Sequence, residues 1–205
     1  MTVTPQSLPR YNVATMRSQL EIGFLLDRLW HQLRGEMEQS KRPALLALGR
    51  ILDDAAVPYA VIGGVALQVH QNEPRTTLDI DLAVTDRERI PRSQLEAAGF
   101  EETGRFPHSE NWVSSEGIAV QFTDDPALAG AIARAERIEL EGVPLRLIGR
   151  VDLLHEKLRA GRDPARRRSK RLQDLADAQA LIEADASLSS ELTPKERAQL
   201  ARLPE

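Results

Sequence analysis

Cysteine is absent from the 205 residues, so neither a disulfide nor a thiolate metal site can form. Such a chain suits a reducing compartment, and the cytoplasm is the expected location. Aromatic residues make up only 4% of the sequence, so a core must be built mainly from Leu, Ala, Val and Ile. That favours helices and a modest sheet. No apolar run reaches the roughly 18 residues that mark a membrane span, and no membrane partner is expected. Residues 1–15 lack the basic start and apolar stretch of a signal peptide. Charge of one sign is not in excess either. Lys and Arg number 27 against 31 Asp and Glu, a net charge of -4. An anionic partner must therefore be held by a local basic patch. The four histidines, His31, His70, His108 and His155, never take zinc-ligand spacing. No serine–histidine arrangement points to hydrolase chemistry.

With 41% hydrophobic and 28% charged residues, the chain can bury a core, and its length suits one domain with a helical appendage. An extended arm is expected over residues 1–15. Apolar residues at helical spacing predict a helix over 16–39. Ser40 is expected to cap a second helix over 41–55, with Pro43 in its first turn. Strands are expected at 57–64, 78–84, 100–105, 110–115 and 117–122. Short helices are expected at 65–71, 92–99 and 126–135. Residues 137–149 form a hairpin pattern with Glu141-Gly142 at the turn. From Val151 the pattern is helical, with a last short helix opened by Thr193 and Pro194. The expected organisation is an N-terminal arm with helices (1–56), an α/β core (57–149) and a C-terminal helical part (150–205).

The chemistry concentrates in "GGVALQVHQNEPRTTLDIDLAV", residues 63–84. Side chains on a strand alternate between faces, so Asp79 and Asp81 point the same way while Ile80 and Leu82 can be buried. Two carboxylates this close repel unless a cation sits between them. Magnesium is the natural candidate, because it prefers oxygen and takes one or two carboxylates plus substrate phosphates. Gly63 and Gly64 allow close backbone approach and precede a short helix whose free N–H groups could face an anion. Arg75, in the loop before the carboxylates, can add charge to a phosphate. The only strongly basic run is Arg159 to Arg171, which includes Arg166, Arg167, Arg168, Lys170 and Arg171. It is a candidate RNA- or phosphate-binding edge, although without interleaved aromatics to stack on bases.

The stretch from Ile62 to Val84 resembles the signature of the DNA polymerase beta-type nucleotidyltransferase superfamily, in which a Gly-Gly pair is followed, after a short helix, by Asp, an apolar residue and Asp. The Arg-x-x-x-Asp-x-Asp form, together with "VDLLHEKLRAGRDPARRRSKRLQDLADAQAL", resembles the AbiEii-like nucleotidyltransferases of abortive infection, some of which are toxins of toxin–antitoxin pairs. The resemblance spans about residues 57–182. It implies an α/β (α+β) nucleotidyltransferase fold, a small mixed sheet flanked by helices, with N-terminal helices and a C-terminal helical part. It also implies a magnesium-dependent transfer of a nucleoside monophosphate from a nucleoside triphosphate to a hydroxyl. The acceptor would be a tRNA end, or else an antibiotic or protein hydroxyl, and an antitoxin protein would be a partner.

On this resemblance Gly63, Gly64 and Arg75 hold phosphates and Asp79 and Asp81 hold the metal. Lys157 contacts phosphate, and Asp174, with Asp177 as a further candidate, completes the site. The family's later-strand carboxylate, which would take the acceptor's proton, aligns here with Gln121, an amide that cannot act as a base. Asp124 lies three residues on and reaches the same face only if the strand ends first. This departure leaves three expectations: the enzyme works with two carboxylates, another acid such as Asp174 substitutes, or activity is lost, and a module that binds nucleotide without catalysis is the alternative.

Overall fold

Helical spacing at the start of the chain sets which side chains turn inward. In α1 (Val13–Leu33), Met16, Leu20 and Phe24 are buried one turn apart. In α2 (Arg42–Asp54), Leu45, Leu48 and Leu52 do the same. The structure is a computed structural model that describes residues 13–34, 40–71 and 76–202. The extended arm expected over residues 1–15 falls almost wholly outside these, as does Arg75. The cap of α2 differs from expectation. Lys41 occupies the cap position with helical backbone angles and no side-chain cap bond. Ser40 sits one residue earlier, where its Oγ accepts from the Arg42 N–H at 3.2 Å. Lys41 is at the cap because its side chain is drawn into the interior, as described below.

Seven strands among the described residues form one sheet: β1 (Tyr59–Ile62), β2 (Asp79–Val84), β3 (Glu101–Phe106), β4 (Ser109–Val113), β5 (Ala119–Thr123), β6 (Glu136–Leu140) and β7 (Val143–Leu147). Their order is β3-β4-β5-β2-β1-β7-β6. The sheet is mixed. β2 runs parallel to β5 and β1 parallel to β7, while the other neighbours are antiparallel. The β6–β7 hairpin turns at Glu141 and Gly142, both at positive φ, as a tight two-residue connection requires.

Alternation along the central strands sorts two apolar cores. Tyr59 and Val61 of β1, Ile80, Leu82 and Val84 of β2, and Val120 and Phe122 of β5 pack with α1 and α2. Ala60, Ile62 and Ala83 pack instead with α3 (Gly63–His70), α5 (Ala129–Ala133), α6 (Arg150–Ala160) and α7 (Arg168–Ala184). Asp79 and Asp81 lie at even spacing from Ala83. They therefore share the face that carries α6 and α7, so the C-terminal helices flank the carboxylates. A short α4 (Arg92–Ala97), ended by Gly99 at positive φ, leads into β3. The final helix, α8 (Pro194–Leu200), opens with a capping box between Thr193 and Glu196.

Candidate active site

A cleft of about 990 Å³ lies between the sheet face and the C-terminal helices. Gly63, Gly64, Asp79, Asp81, Lys157 and Asp174 all line it, although they come from four separate parts of the chain. The strand β1 ends at Ile62, and the chain turns at Gly63, whose φ is +61°. This left-handed conformation favours glycine. Space demands it as well, because a Cβ on Gly63 would overlap the Asp81 carboxylate, and one on Gly64 would overlap the Thr77 hydroxyl. The glycine pair thus forms the first turn of α3 with no side chains between backbone and carboxylates.

Asp79 is exposed on the cleft and Asp81 is half-buried. Burial, then the neighbouring Asp79 charge, pushes the Asp81 carboxyl up to about 7, against the opposing pull of Lys157, Arg166 and the Gly64 N–H. Like charges in low dielectric cannot both ionise cheaply. A cation between the two would remove that penalty. Among the described residues no three His, Asp or Glu side chains cluster as a self-sufficient metal cage. A pair of carboxylates beside an open cleft nevertheless fits magnesium, which keeps waters and takes its remaining oxygens from substrate phosphates.

Lys157 of α6 does not bond the strand carboxylates directly. Its Nζ donates to Asp174 Oδ1 at 3.2 Å and to Asp177 Oδ2 at 2.6 Å, both buried on α7. The Nε of Arg166 donates to the other Asp174 oxygen at 2.7 Å. Asp174 and Asp177 are thus placed to hold cations at the cleft wall, and both Asp174 oxygens are already engaged by them. Arg166, Arg167 and Lys170 line the cleft, whereas Arg168 and Arg171 do not. These basic residues precede or open α7, whose first turn contains no acidic residue. A helix N-terminus is already electropositive, so this clustering is unfavourable for the helix alone. An anion at the cleft mouth would compensate it.

Gln121 pairs with Asp81 across β2 and β5, and its Nε2 donates to Asn111 Oδ1 at 3.2 Å. The strand ends at Thr123, before Asp124. Asp124 nevertheless points away from the cleft, with Oδ2 2.8 Å from the buried Arg87 Nε. Asp125 lines the cleft in its place, paired with Arg159 at 2.7 Å. Asp125 carried no sequence signal, because the chain leaves the strand there and alternation no longer predicts facing. Thr77 was also missed. It lies two residues before Asp79, and even spacing is the signal that could have found it: its hydroxyl donates to Asp79 Oδ1 at 2.8 Å.

No known family model matches the chain, and no curated protein matches it in sequence. Solved structures do resemble it. The Megavirus polyadenylate synthase superposes with a TM-score of 0.51 at 13% identity, over 90% of this chain and 39% of that one. The protein JHP933 from Helicobacter pylori gives 0.50 at 16% identity, over 78% of this chain and 75% of that one. An antigenic nucleotidyltransferase-like protein from Paracoccidioides brasiliensis gives 0.44 at 21% identity, covering 77% and 90%. The chain shares its mixed α/β fold with the polyadenylate synthase, with JHP933 and with a putative nucleotidyltransferase from H. pylori, which gives a TM-score of 0.50 at 16% identity over 78% of this chain and 77% of that one.

Proposed function

We propose that the protein is a magnesium-dependent nucleotidyltransferase that moves a nucleoside monophosphate from a nucleoside triphosphate onto a hydroxyl. The observation that carries this reading is the packing of Gly63 against Asp81, where any Cβ would displace the carboxylate. A backbone held that close to paired acids suits a triphosphate and its ion lying across both. Magnesium, when bound, would neutralise phosphate charge and orient the oxygens for in-line attack. Asp79 and Asp81 would hold it. Gly63 and Gly64 would cradle the phosphates, with Arg75 and Lys157 adding positive charge. The acceptor oxygen bonds to the α-phosphorus, the α–β phosphoanhydride bond breaks, and pyrophosphate leaves. Gln121 offers no basic atom, so the acceptor's proton must pass to another group at the cleft, either water or a lining carboxylate such as Asp125.

The preferred acceptor is the hydroxyl end of a tRNA. Arg166, Arg167 and Lys170 at the mouth supply a phosphate-binding edge of the kind a polynucleotide needs, and Arg168 and Arg171 extend it along α7. An AbiEii-like toxin restrained by an antitoxin protein is the biological setting consistent with this chemistry. Incubation with each α-labelled triphosphate, magnesium and total tRNA tests the reading. Label should pass to RNA and be lost in Asp79→Ala. Label on a protein or an aminoglycoside would move the acceptor to those classes.

Gln121 supports a second reading, a nucleotide-binding module without catalysis. That reading requires tight triphosphate binding with no transfer to RNA, protein or small hydroxyl acceptors.

A further inference from the structure

Lys41 is almost fully buried, at 1% exposure, and so is its partner Asp27 of α1, at 3%. A buried ion pair is a poor source of stability, since desolvating both charges offsets most of their attraction. Its geometry points to another role. The ammonium that binds Asp27 also donates to the backbone carbonyl of Thr77. Thr77 in turn donates its hydroxyl to Asp79 Oδ1 at 2.8 Å, and its side chain packs over Gly64. One continuous chain of bonds therefore runs from α1, through the start of α2, to the loop before β2, and ends on an exposed carboxylate of the cleft. Without it, Asp79 would be a solvent-facing side chain free to change rotamer. Both halves of the 63–84 motif meet at Thr77, which touches Gly64 on one side and Asp79 on the other.

We infer that Lys41 and Thr77 are positioning residues: the buried Asp27–Lys41 pair fixes the Thr77 backbone, and the Thr77 hydroxyl fixes the Asp79 carboxylate for cation binding. The cation-binding half of this inference rests on the proposed function; the fixing of Asp79 does not. Other clusters carry less. The Arg92–Glu110 pair, which also engages Glu102 and Trp112, and the His155–Glu196 pair, which is tied to the Thr193 cap, line no part of the cleft.

Two measurements test it. The first is crystallographic, without metal. Wild type and Thr77→Ser should show one Asp79 carboxylate orientation, while Thr77→Val should show more than one. The double variant Asp27→Leu/Lys41→Met replaces the pair with apolar groups of similar volume, so it should fold. It should nonetheless release the Thr77 carbonyl and disperse Asp79. A single unchanged Asp79 orientation in both Thr77→Val and the double variant overturns the inference.

The second measurement is Mn²⁺ binding by electron paramagnetic resonance. Thr77→Val should bind about tenfold more weakly than wild type, the loss expected for one hydrogen bond to a charged group. Thr77→Ser should restore affinity to within about twofold. Equal binding by wild type and Thr77→Val overturns the link from hydroxyl to cation. Absence of Mn²⁺ binding in wild type sinks the proposed function instead, and the crystallographic arm still decides whether Asp79 is held.

Discussion

Asp81 and Gln121 face each other in register across the parallel strands β2 and β5, on the side turned to the cleft. On the resemblance to nucleotidyltransferases, this amide aligns with the position expected to carry a third carboxylate. Gln121→Glu is expected to destabilise the metal-free protein through like-charge repulsion and to raise Mn²⁺ affinity at least severalfold. Calorimetric titration of both forms checks this. Unchanged affinity would separate Gln121 from the cation site.

The raised carboxyl of Asp81 predicts a pH dependence with a definite sign. Its ordinary value is 3.8 and its value in the fold is about 7. Between these limits the folded state holds a proton that the unfolded chain has lost. The stabilisation is therefore complete below pH 4 and falls away as pH rises toward 7. Each unit of separation corresponds to about 1.4 kcal/mol as an upper bound. In the presence of EDTA, thermal unfolding of wild type measured against Asp81→Asn should show this decline, the stability of wild type relative to the variant falling from pH 4 to pH 7. A parallel decline in the variant would assign the effect to another group.

Gly63 and Gly142 both adopt positive φ, at +61° and +74°, but only Gly63 has a carboxylate where its Cβ would go. Gly142→Ala should cost about 1 kcal/mol, the strain of left-handed backbone alone. Gly63→Ala should cost more and should also abolish nucleotide binding, because Asp81 must move. Urea unfolding and nucleotide titration of the two variants separate strain from site damage. Equal costs with intact binding in both would show that the Gly63 contact is not needed.

His70, at the end of α3, is buried, and burial pulls it down to about 4 from 6.5. Its Nε2 lies 2.7 Å from the Ile148 carbonyl, so the neutral ring must carry its proton on Nε2 and donate it there. The folded state binds fewer protons than the unfolded chain in this window. Stability from this residue is full above pH 6.5 and lost as pH falls toward 4. This opposes the Asp81 trend over nearly the same pH range, so the two contributions largely cancel in wild type and each is exposed when the other residue is replaced. His70→Gln should be less stable at pH 7 yet lose less stability on acidification, as followed by circular dichroism.

Much of the sheet was legible because alternation and turn chemistry are local. Tyr59 to Ile62 and Asp79 to Val84 announce strands by composition, and Glu141-Gly142 announces the hairpin turn because so few residues accept positive φ. Thr193 followed by Pro194 announces the last helix, and the structure adds the capping box with Glu196. Ser40 misled because its neighbour is a lysine pulled inward by Asp27, fourteen residues away, and no local rule anticipates that.

By itself the sequence determined which face Asp79 and Asp81 share and that Gly63 and Gly64 could come near them, since strand periodicity and the missing Cβ are properties of the chain. Only tertiary structure decided that Lys157 is held by Asp174 and Asp177, that Asp125 rather than Asp124 reaches the cleft, and that Lys41 lies buried against Thr77. Those relations join residues far apart in sequence, and the energy that fixes them comes from desolvation and charge pairing once the helices have docked on the sheet. Such terms have no period along the chain.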